Sequence, residues 1–433
     1  MSPSELSELY SRFQQCRSVS TDSRQPQSDT LFFALNGPSF RGAAFAPQAL
    51  AQGARYAVVD DAAVAAQDPE RYVLVPDTLE ALQQLARYHR RQLTIPVVAI
   101  TGSNGKTTTK ELVHAVLSRR YRVQYTRGNL NNHIGVPLTL LSIDAGQHDL
   151  AVVEMGANHQ GEIALLCRLA EPTHGLITNI GKAHLEGFGG VEGVAKGKGE
   201  MFRHLAAHGG TAFVNTADAR LPNLAAEVAQ RISYPNLGDT YPAVLLAATP
   251  QVVMQLFDGT RVEARITGAY NFLNLAAAAA VGAHFAVPSP DIAEALAAYD
   301  PTNNRSQLVR TGRNEVILDA YNANPSSMAA AVTSLAARPG EPARKVALLA
   351  DMFELGSESA AEHQALGELL AQQQFGTVLL IGPEMQRAAQ PGFRHFLSKD
   401  EAAAWLRANP LHERQILVKG SRGMGLETLM ELL

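Results

Sequence analysis

Residues 97–111 read VVAITGSNGKTTTKE, and this stretch predicts both a local fold and a ligand. The apolar run VVAI predicts a buried strand, and a glycine-rich loop leads from it into a helix. Backbone N–H groups of such a loop, together with the positive end of the helix, bind phosphate groups. The loop residues expected to bind ATP are Gly102, Ser103, Asn104, Gly105, Lys106, Thr107 and Thr108.

The loop has the compact pattern G-x-x-G-K-T, because Ile100 stands where the longer phosphate-loop pattern has its first glycine. Lys106 is expected to reach the β and γ phosphates, and the Thr107 hydroxyl is expected to bind Mg²⁺. A GTPase would also carry the motifs D-x-x-G and N-K-x-D, and the sequence contains neither. A nucleoside kinase would not need a second sheet domain, so we expect the ATP to serve a larger reaction.

The composition argues against several classes of protein. Lys plus Arg total 37 and Asp plus Glu total 41 in 433 residues, so the net charge of −4 provides no basic surface for nucleic acid. Cys16 and Cys167 lie far apart, and we interpret them as ordinary thiols in a reducing cytosol. The longest apolar run, residues 272–287, is shorter than the roughly 18 residues that a membrane span needs. We therefore expect a soluble, cytoplasmic monomer without a membrane span.

Strand-like and helix-like segments alternate along the chain, which predicts an α/β fold with mainly parallel sheets. We expect three domains: a small N-terminal α/β domain (1–93), a central P-loop ATPase-type domain with a mostly parallel sheet (94–310), and a C-terminal Rossmann-like, doubly wound sheet (311–433). The predicted strands are residues 30–35, 56–60, 71–75, 97–100, 149–153, 175–178, 211–214, 316–320, 346–350, 377–381 and 415–419. Helices are predicted at 78–92 and 272–287. Asp258-Gly259 predicts an antiparallel pair within 252–266 that decorates the parallel sheet.

Charged side chains follow two further strands of the central segment. Glu154 ends the apolar run LAVV, and His184 lies in TNIGKAHLEGFG (178–189), just past the next predicted strand. Ligands gather at the carboxyl ends of the strands in an open parallel sheet. A carboxylate and an imidazole at adjacent strand ends, beside a phosphate loop, suit Mg²⁺ with its waters and the phosphate oxygens of a substrate.

Five motifs together resemble the Mur ligases: TGSNGKTTTKE, GNLNNHIGVPLTLL (128–141), EMGANHQGEI (154–163), TNIGKAHLEGFG and YNANPSSM (321–328). The resemblance runs from about residue 20 to the C-terminus. It implies an N-terminal domain that binds a UDP substrate, and an ATP-dependent amide ligase of peptidoglycan precursor synthesis. In such an enzyme a carboxylate becomes an acyl phosphate, from which an amine displaces phosphate. Three of the motifs are specific to the branch that joins D-alanyl-D-alanine to UDP-MurNAc-tripeptide.

The resemblance also implies roles for individual residues. Thr107 and Glu154 would hold one Mg²⁺, and His184 would hold a second together with Lys198, which relatives carry as a carbamate. The catalytic residues implied are Lys106, His184 and Lys198. The residues implied to bind ATP outside the loop are Asn271, Asn274, Arg305 and Asp319. Those implied to bind the UDP substrate or the dipeptide are Ser23, Arg24, Asn129, Asn131, Asn132, Lys419, Ser421 and Arg422.

At some positions the sequence differs from the family pattern or offers two candidate residues. Lys196 and Lys198 differ by roughly 200° around a helix, so only one of them is expected to face the site, and the spacing from His184 favours Lys198. Asn304 stands where many relatives have glycine before the arginine. Arg41-Gly42-Ala43 stands where relatives commonly have Asp-Gly-His, and we assign no role to Arg41.

Two other functions stay open. One is a different amide ligase of the superfamily, such as folylpolyglutamate synthase, against which YNANPSSM and STDSR (20–24) argue. The other is a P-loop binding or regulatory protein without ligase turnover, which the presence of the whole predicted catalytic set disfavours. The sequence does not decide whether the third residue of the tripeptide is diaminopimelate or lysine.

Overall fold

The computed structural model describes residues 1–301 and 303–433, and the strands within these ranges form four sheets. The strands of the first sheet are β1 (Ser18–Ser20), β2 (Thr30–Phe33), β3 (Tyr56–Val59) and β4 (Tyr72–Leu74). They are parallel and lie in the order β1-β2-β3-β4. The accompanying helices are α1 (Pro3–Gln14), α2 (Ala46–Ala51), α3 (Ala62–Ala65) and α4 (Thr78–Gln92).

Helix α4 ties the first sheet to the central part of the molecule. The Asp77 carboxylate accepts a hydrogen bond from the Glu80 N–H at 2.7 Å, which satisfies a free donor at the start of the helix. Leu82 and Leu85 on its apolar side are fully buried. Near its end, the buried Arg90 donates to the Ala170 carbonyl oxygen at 2.9 Å. The helix predicted at 78–92 is confirmed.

The central sheet is parallel throughout. Its strands are β5 (Val97–Thr101), β6 (Val123–Tyr125), β7 (Leu150–Glu154), β8 (His174–Ile177), β9 (Thr211–Asn215) and β10 (Gln230–Tyr234), in the order β10-β9-β8-β5-β7-β6. Strand β5 is fully buried, as its continuous apolar run requires. It lies between β7 and β8 in the sheet. Both of these strands come after β5 in the sequence, so the chain continues from β5 to both sides of it. This topological switch opens a crevice at the carboxyl ends of the three strands.

Helices cover the central sheet on both faces. They are α5 (Lys106–Leu117), α6 (Gly135–Leu141), α7 (Glu162–Ala170), α8 (Leu185–Phe188), α9 (Val191–His208), α10 (Leu221–Leu224), α11 (Ala269–His284) and α12 (Ser289–Ala298). Helix α11 lies three residues earlier than the predicted 272–287. It begins directly after Gly268, at φ 92°, and ends before Ala286, whose φ of 55° is incompatible with a continuing helix.

The predicted hairpin forms, but it belongs to a sheet of its own. Strands β11 (Val244–Ala247), β12 (Val253–Gln255) and β13 (Arg261–Glu263) are antiparallel, in that order. The turn closes with a hydrogen bond from the Leu256 N–H to the Thr260 carbonyl oxygen at 2.8 Å, and Gly259 adopts φ 91°. The predicted antiparallel pair is confirmed. It joins β11 in a separate small sheet and shares a hydrophobic cluster with strand β5 of the parallel sheet.

The third sheet, counted without the small antiparallel sheet of β11–β13, combines β14 (Gln307–Arg310), β15 (Glu315–Asp319), β16 (Lys345–Ala350), β17 (Thr377–Ile381), β18 (Arg394–Phe396) and β19 (Gln415–Lys419), with helices α13 (Pro325–Ala337), α14 (Ser359–Gln372) and α15 (Lys399–Ala408). The order is β14-β15-β19-β16-β17-β18, and only the pairing of β14 with β15 is antiparallel in the described residues. This sheet begins at Gln307, slightly before residue 311, where the sequence analysis placed the third domain.

Candidate active site

A cavity of about 780 Å³ lies where the carboxyl ends of β5, β7 and β8 face those of β15 and β19. It is lined by most of the predicted site residues: Ser103, Asn104, Gly105, Lys106, Thr107, Thr108, Asn129, Asn131, Asn132, Glu154, His184, Asn271, Asn274, Arg305, Asp319 and Lys419. Two sheets that are far apart in the sequence therefore contribute to one site.

The phosphate loop is braced by the segment that follows β8. The Asn104 N–H donates to Asn179 Oδ1 at 3.1 Å, and Thr178 Oγ1 donates to the Asn104 carbonyl oxygen at 2.6 Å. Gly102 has φ 144°, and a Cβ there would lie 1.9 Å from Thr178 Oγ1. Glycine is therefore required at Gly102 for the loop to lie against its neighbour.

Lys106 turns back onto its own loop. Its Nζ donates to the carbonyl oxygens of Gly102 at 2.7 Å and Ser103 at 3.2 Å. Burial lowers the pKa of Lys106 to about 8, although the Glu154 carboxylate acts in the opposite direction. The ammonium is thus held at the loop beside the space that a phosphate would occupy.

Glu154, at the end of β7, is buried and receives hydrogen bonds on one oxygen. Thr107 Oγ1 donates to Glu154 Oε1 at 3.1 Å, and Asn131 Nδ2 donates to the same oxygen at 2.7 Å. The other oxygen, Oε2, has no hydrogen-bond donor among the described residues. A hydroxyl beside a carboxylate with a free oxygen fits Mg²⁺, which typically takes few protein ligands and completes its shell with water and phosphate oxygens.

Few protein ligands are available for such a metal. In residues 1–301 and 303–433 no group of three or more His, Cys, Asp or Glu side chains is placed to hold a metal ion. A metal bound here would therefore depend on the Thr107 hydroxyl, the Glu154 carboxylate and groups that come from the substrate.

Lys110 also reaches this carboxylate, although the sequence analysis assigned it no role. Its Nζ lies 3.8 Å from Glu154 Oε2, and its side chain is fully buried. The sequence does contain a pattern that indicates this position: Lys110 follows Lys106 by four residues, about one helical turn, and therefore lies on the same side of α5.

The start of α11 closes another side of the cavity with two buried asparagines. Asn271 Nδ2 donates to the Thr267 carbonyl oxygen at 2.8 Å, and Asn274 Nδ2 donates to Asn271 Oδ1 at 2.9 Å. Asn274 Oδ1 accepts a hydrogen bond from Thr109 Oγ1 at 3.1 Å, which joins α11 to α5. Both predicted residues thus lie at the cavity.

The third sheet presents a buried ion pair to the cavity. Lys419 Nζ donates to Asp319 Oδ2 at 2.7 Å, from the end of the strand next to β15. Asp319 Oδ1 accepts from the Ser306 N–H at 3.1 Å. The structure therefore pairs a residue predicted to bind the nucleotide with a residue predicted to bind the dipeptide.

Arg305 stacks on an aromatic ring at the junction of the second and third sheets. Its guanidinium carbon lies 3.6 Å from the centroid of the Tyr321 ring, and its buried Nε has no hydrogen-bond partner among the described residues. The preceding Asn304 has φ 56°. Asparagine tolerates this left-handed conformation better than most residues with a side chain.

Two contacts that the sequence analysis missed join the central and third sheets. His184 Nδ1 lies 2.5 Å from Glu354 Oε2, and this contact lowers the pKa of Glu354. Asn324 Nδ2 donates to Asn104 Oδ1 at 2.7 Å, directly on the phosphate loop. His184 is thus engaged by a carboxylate of the third domain.

Lys198 is buried beside the cavity without lining it. Its Nζ donates to the Ala157 carbonyl oxygen at 3.0 Å and lies 5.0 Å from the centroid of the Phe188 ring. Burial, and secondarily the charge of Lys106, lower the pKa of Lys198 well below its usual value. Lys196 is exposed on the other side of α9, so the two lysines face different environments as expected.

The other predicted residues do not line this cavity: Gly102, Ser23, Arg24, Ser421 and Arg422. Arg24 is exposed and pairs with Asp22 at 2.8 Å. Ser421 Oγ accepts from the Phe353 N–H at 2.9 Å. The guanidinium of Arg422 lies 5.3 Å from the centroid of the Tyr321 ring, on which Arg305 also stacks.

Within residues 1–301 and 303–433, no helix is both long enough and apolar enough to cross a membrane.

Three family models match successive parts of the chain. The Mur ligase family catalytic domain matches residues 15–90, the Mur ligase middle domain matches residues 100–282, and the Mur ligase glutamate ligase domain matches residues 304–422. These matches follow the N-terminal, central and C-terminal sheets in turn.

Whole-chain relatives agree with these matches. The UDP-N-acetylmuramoyl-tripeptide–D-alanyl-D-alanine ligase of Escherichia coli is 37% identical over 430 residues, covering 96% of this chain and 93% of the relative. The corresponding ligase of Bacillus subtilis is 34% identical over 432 residues, which cover 95% of this chain and 92% of that relative. A crystal structure of MurF from Acinetobacter baumannii superposes with a TM-score of 0.88 at 33% identity, covering 99% of this chain and 97% of that one.

The fold and the site define an ATP-dependent ligase built on a P-loop sheet, and the chain belongs to the Mur ligase family. MurF from Thermotoga maritima, solved in complex with ADP, superposes with a TM-score of 0.84 at 26% identity over 96% of this chain and 97% of that one. The predicted family, the α/β fold class and the use of ATP by a ligase are confirmed.

Proposed function

We propose that the protein joins D-alanyl-D-alanine to UDP-MurNAc-tripeptide with ATP, giving UDP-MurNAc-pentapeptide, ADP and phosphate in peptidoglycan precursor synthesis. The observation that carries this proposal is the shared cavity, where the phosphate loop around Lys106 faces Asp319 and Lys419 of the third sheet. The names of the relatives support the substrates. In this reaction the terminal carboxylate of the tripeptide takes the γ-phosphoryl group of ATP. The amine of the dipeptide then attacks the acyl carbon, and phosphate leaves.

The side chains around the phosphate loop supply what the first step needs. A carboxylate and a triphosphate repel each other, so positive charge must lie between them before they react. The Lys106 ammonium sits at the loop, and the Arg305 guanidinium is held by its stacking on Tyr321. Mg²⁺ held by Thr107 and Glu154 would neutralise further phosphate charge.

Other residues are proposed to orient the substrates. Asn271 and Asn274 would contact the adenine side of the nucleotide, and Asp319 the ribose. Asn129, Asn131 and Asn132 would line the path of the muropeptide. Ser23 and Arg24 suit the diphosphate of the UDP group, because a hydroxyl and a guanidinium bind phosphate oxygens well. The residues proposed for the dipeptide carboxylate are Lys419, Ser421 and Arg422.

A second Mg²⁺ is proposed beside His184, with Lys198 as its other ligand in the form of a carbamate. The neutral amine nitrogen would bond the carbon of carbon dioxide and release one proton, which replaces a cation with an anion. The lowered pKa of Lys198 supports this step, since only the neutral amine reacts. We propose the cytoplasm as its location and a monomer as its working form.

One assay tests the function. Purified protein is incubated with Mg-ATP, and phosphate release is followed with UDP-MurNAc-tripeptide alone and with D-alanyl-D-alanine added. We expect release to require both substrates, with the pentapeptide as product by mass spectrometry. A folylpolyglutamate synthase would release phosphate with a folate and glutamate instead. A binding or regulatory protein would release none under either condition.

A further inference from the structure

Lys110 is a buried lysine for which the proposed chemistry has no use so far. It lies on α5 one turn after Lys106, and no part of its side chain is exposed. A buried ammonium is costly unless it is paired and hydrogen-bonded. The burial of this ammonium beside Glu154 therefore calls for a function.

The contacts of Lys110 reach three separate parts of the site. Its Nζ donates to the Gly128 carbonyl oxygen at 3.1 Å. It lies 3.8 Å from Glu154 Oε2 and 3.8 Å from Glu111 Oε1, and 5.6 Å from the centroid of the Tyr125 ring. Among the described residues, Lys110 is the cation that faces the Glu154 oxygen lacking a hydrogen bond.

These contacts close a ring through the loop that follows β6. Gly128 precedes Asn131 in that loop, and Asn131 donates to Glu154 Oε1 at 2.7 Å. The Asn131 carbonyl oxygen also accepts from the Gly156 N–H at 2.8 Å. The loop is thus attached to Glu154 directly, and through Lys110 to the helix that carries the phosphate loop.

The same loop continues into the predicted muropeptide contacts. Asn129, Asn131 and Asn132 line the cavity. Asn132 Oδ1 accepts from the N–H groups of Ile134 and Gly135 at 3.1 and 2.9 Å, which fixes the approach to α6. A residue that anchors Gly128 therefore sets where these asparagines stand relative to Lys106.

We infer that Lys110 is a positioning residue that holds the loop 128–134 and the Glu154 carboxylate in register with the phosphate loop, so that the UDP substrate and the nucleotide meet in one geometry. The role in substrate alignment rests on the proposed function. The role in ordering the loop does not, because the ring of contacts exists without any ligand.

The test uses Lys110→Met in the full-length protein, with Lys196→Met as a matched control on an exposed lysine. Amide hydrogen exchange of the peptide covering 126–134 is measured without ligands. We expect exchange there to quicken by at least about tenfold in Lys110→Met and to stay at the wild-type rate in Lys196→Met. Wild-type exchange in Lys110→Met would overturn the inference, whether or not activity falls.

Two further measurements separate positioning from lost folding and from direct chemistry. In Lys110→Met the Glu154 carboxylate is left as a buried charge without its lysine, and the double variant Lys110→Met/Glu154→Gln removes that charge. We expect the unfolding midpoint of the double variant to return toward that of the wild type. We expect amide exchange in its loop 128–134 to stay rapid nonetheless. In Lys110→Met we expect the KM for UDP-MurNAc-tripeptide to rise by about tenfold, while the Kd for ADP in EDTA changes less than about twofold. A tenfold loss of ADP affinity would instead make Lys110 a phosphate contact and overturn the inference. If the wild type shows no ligase turnover, the exchange result still stands alone.

Discussion

Lys106 carries the most direct consequence of the phosphate loop, because its ammonium is poised by two loop carbonyl oxygens next to the phosphate space. We predict that Lys106→Ala lowers ligation by roughly a hundredfold or more, since one preorganised charge contact at a developing anion is typically worth that much. Initial rates of phosphate release measure the effect, with circular dichroism as the check on folding. Retention of more than about a tenth of wild-type turnover would contradict the assignment.

Lys198 is the subject of a prediction about a covalent modification. Its buried amine donates to the Ala157 carbonyl oxygen, and burial lowers its pKa, which favours the neutral form that reacts with carbon dioxide. We expect Lys198→Ala to abolish nearly all activity and a short carboxylic acid such as acetate to restore part of it. Lys196→Ala should be mild, because Lys196 is exposed. Equal losses in the two variants, or full activity of Lys198→Ala, would refute the carbamate.

Several predicted residues that line the cavity belong to contiguous motifs at strand ends. Lys106, Thr107 and Glu154 meet because the loop and the strand order place them together. Glu354 and Asn324 were missed because their partners come from another sheet, across a distance that no local pattern encodes. Sequence motifs thus located the site but not the contacts that close it.

Helices α5 and α11 meet through a glycine, and this contact is testable. Gly105 has φ 78°, and a Cβ there would lie 2.4 Å from Asn274 Oδ1. We predict that Gly105→Ala weakens ADP binding by at least tenfold and lowers the free energy of unfolding by about 1–3 kcal/mol, because a strained backbone and a collision add together. Titration calorimetry and urea unfolding measure these two quantities.

Gly209 provides the matched control for that variant. It has φ 68° at the end of α9, and a Cβ there would meet no atom within 4 Å. Gly209→Ala should therefore cost only the conformational strain and leave ADP affinity unchanged. If both variants bind ADP like the wild type, the packing of Asn274 against the loop has no role in nucleotide binding.

The strands that the sequence analysis missed are, within the described residues, all at the edges of sheets: β1, β6, β10, β11, β14 and β18. An edge strand pairs on one side only and is partly exposed, so it needs no continuous apolar run. Strand β10, QRISY, has two exposed residues at its start, whereas β5 is buried throughout. The central strands were predictable because burial on both faces demands an apolar sequence. An edge strand forms through its hydrogen bonds to one neighbouring strand, and these leave no comparable pattern in the sequence.

Two ion pairs between the central and third sheets are individually weak. Lys182 pairs with Glu362 at 2.5 Å and His184 with Glu354 at 2.5 Å, but each pair has a partner that is about half exposed. Ion pairs of this kind typically contribute about 0–1 kcal/mol and weaken as salt screens them. These two ion pairs alone therefore contribute little to the arrangement of the two sheets, which also meet through the Asn324–Asn104 hydrogen bond.

Ligands that touch both sheets should close them, because only the closed form offers the phosphate loop and the Asp319 side to the same nucleotide. We predict that the radius of gyration of the ligand-free protein in solution grows as salt is raised from low to about 0.5 M, since the bridging ion pairs are screened. With Mg, a non-hydrolysable ATP analogue and UDP-MurNAc-tripeptide bound, the radius should be smaller and independent of salt. Small-angle scattering measures the radius of gyration of the wild type and of Glu354→Gln. At low salt, Glu354→Gln should have the radius that the wild type reaches at high salt. An unchanged radius across ligands and salt would mean that the two sheets form one rigid unit, and that the substrates enter a cavity already closed.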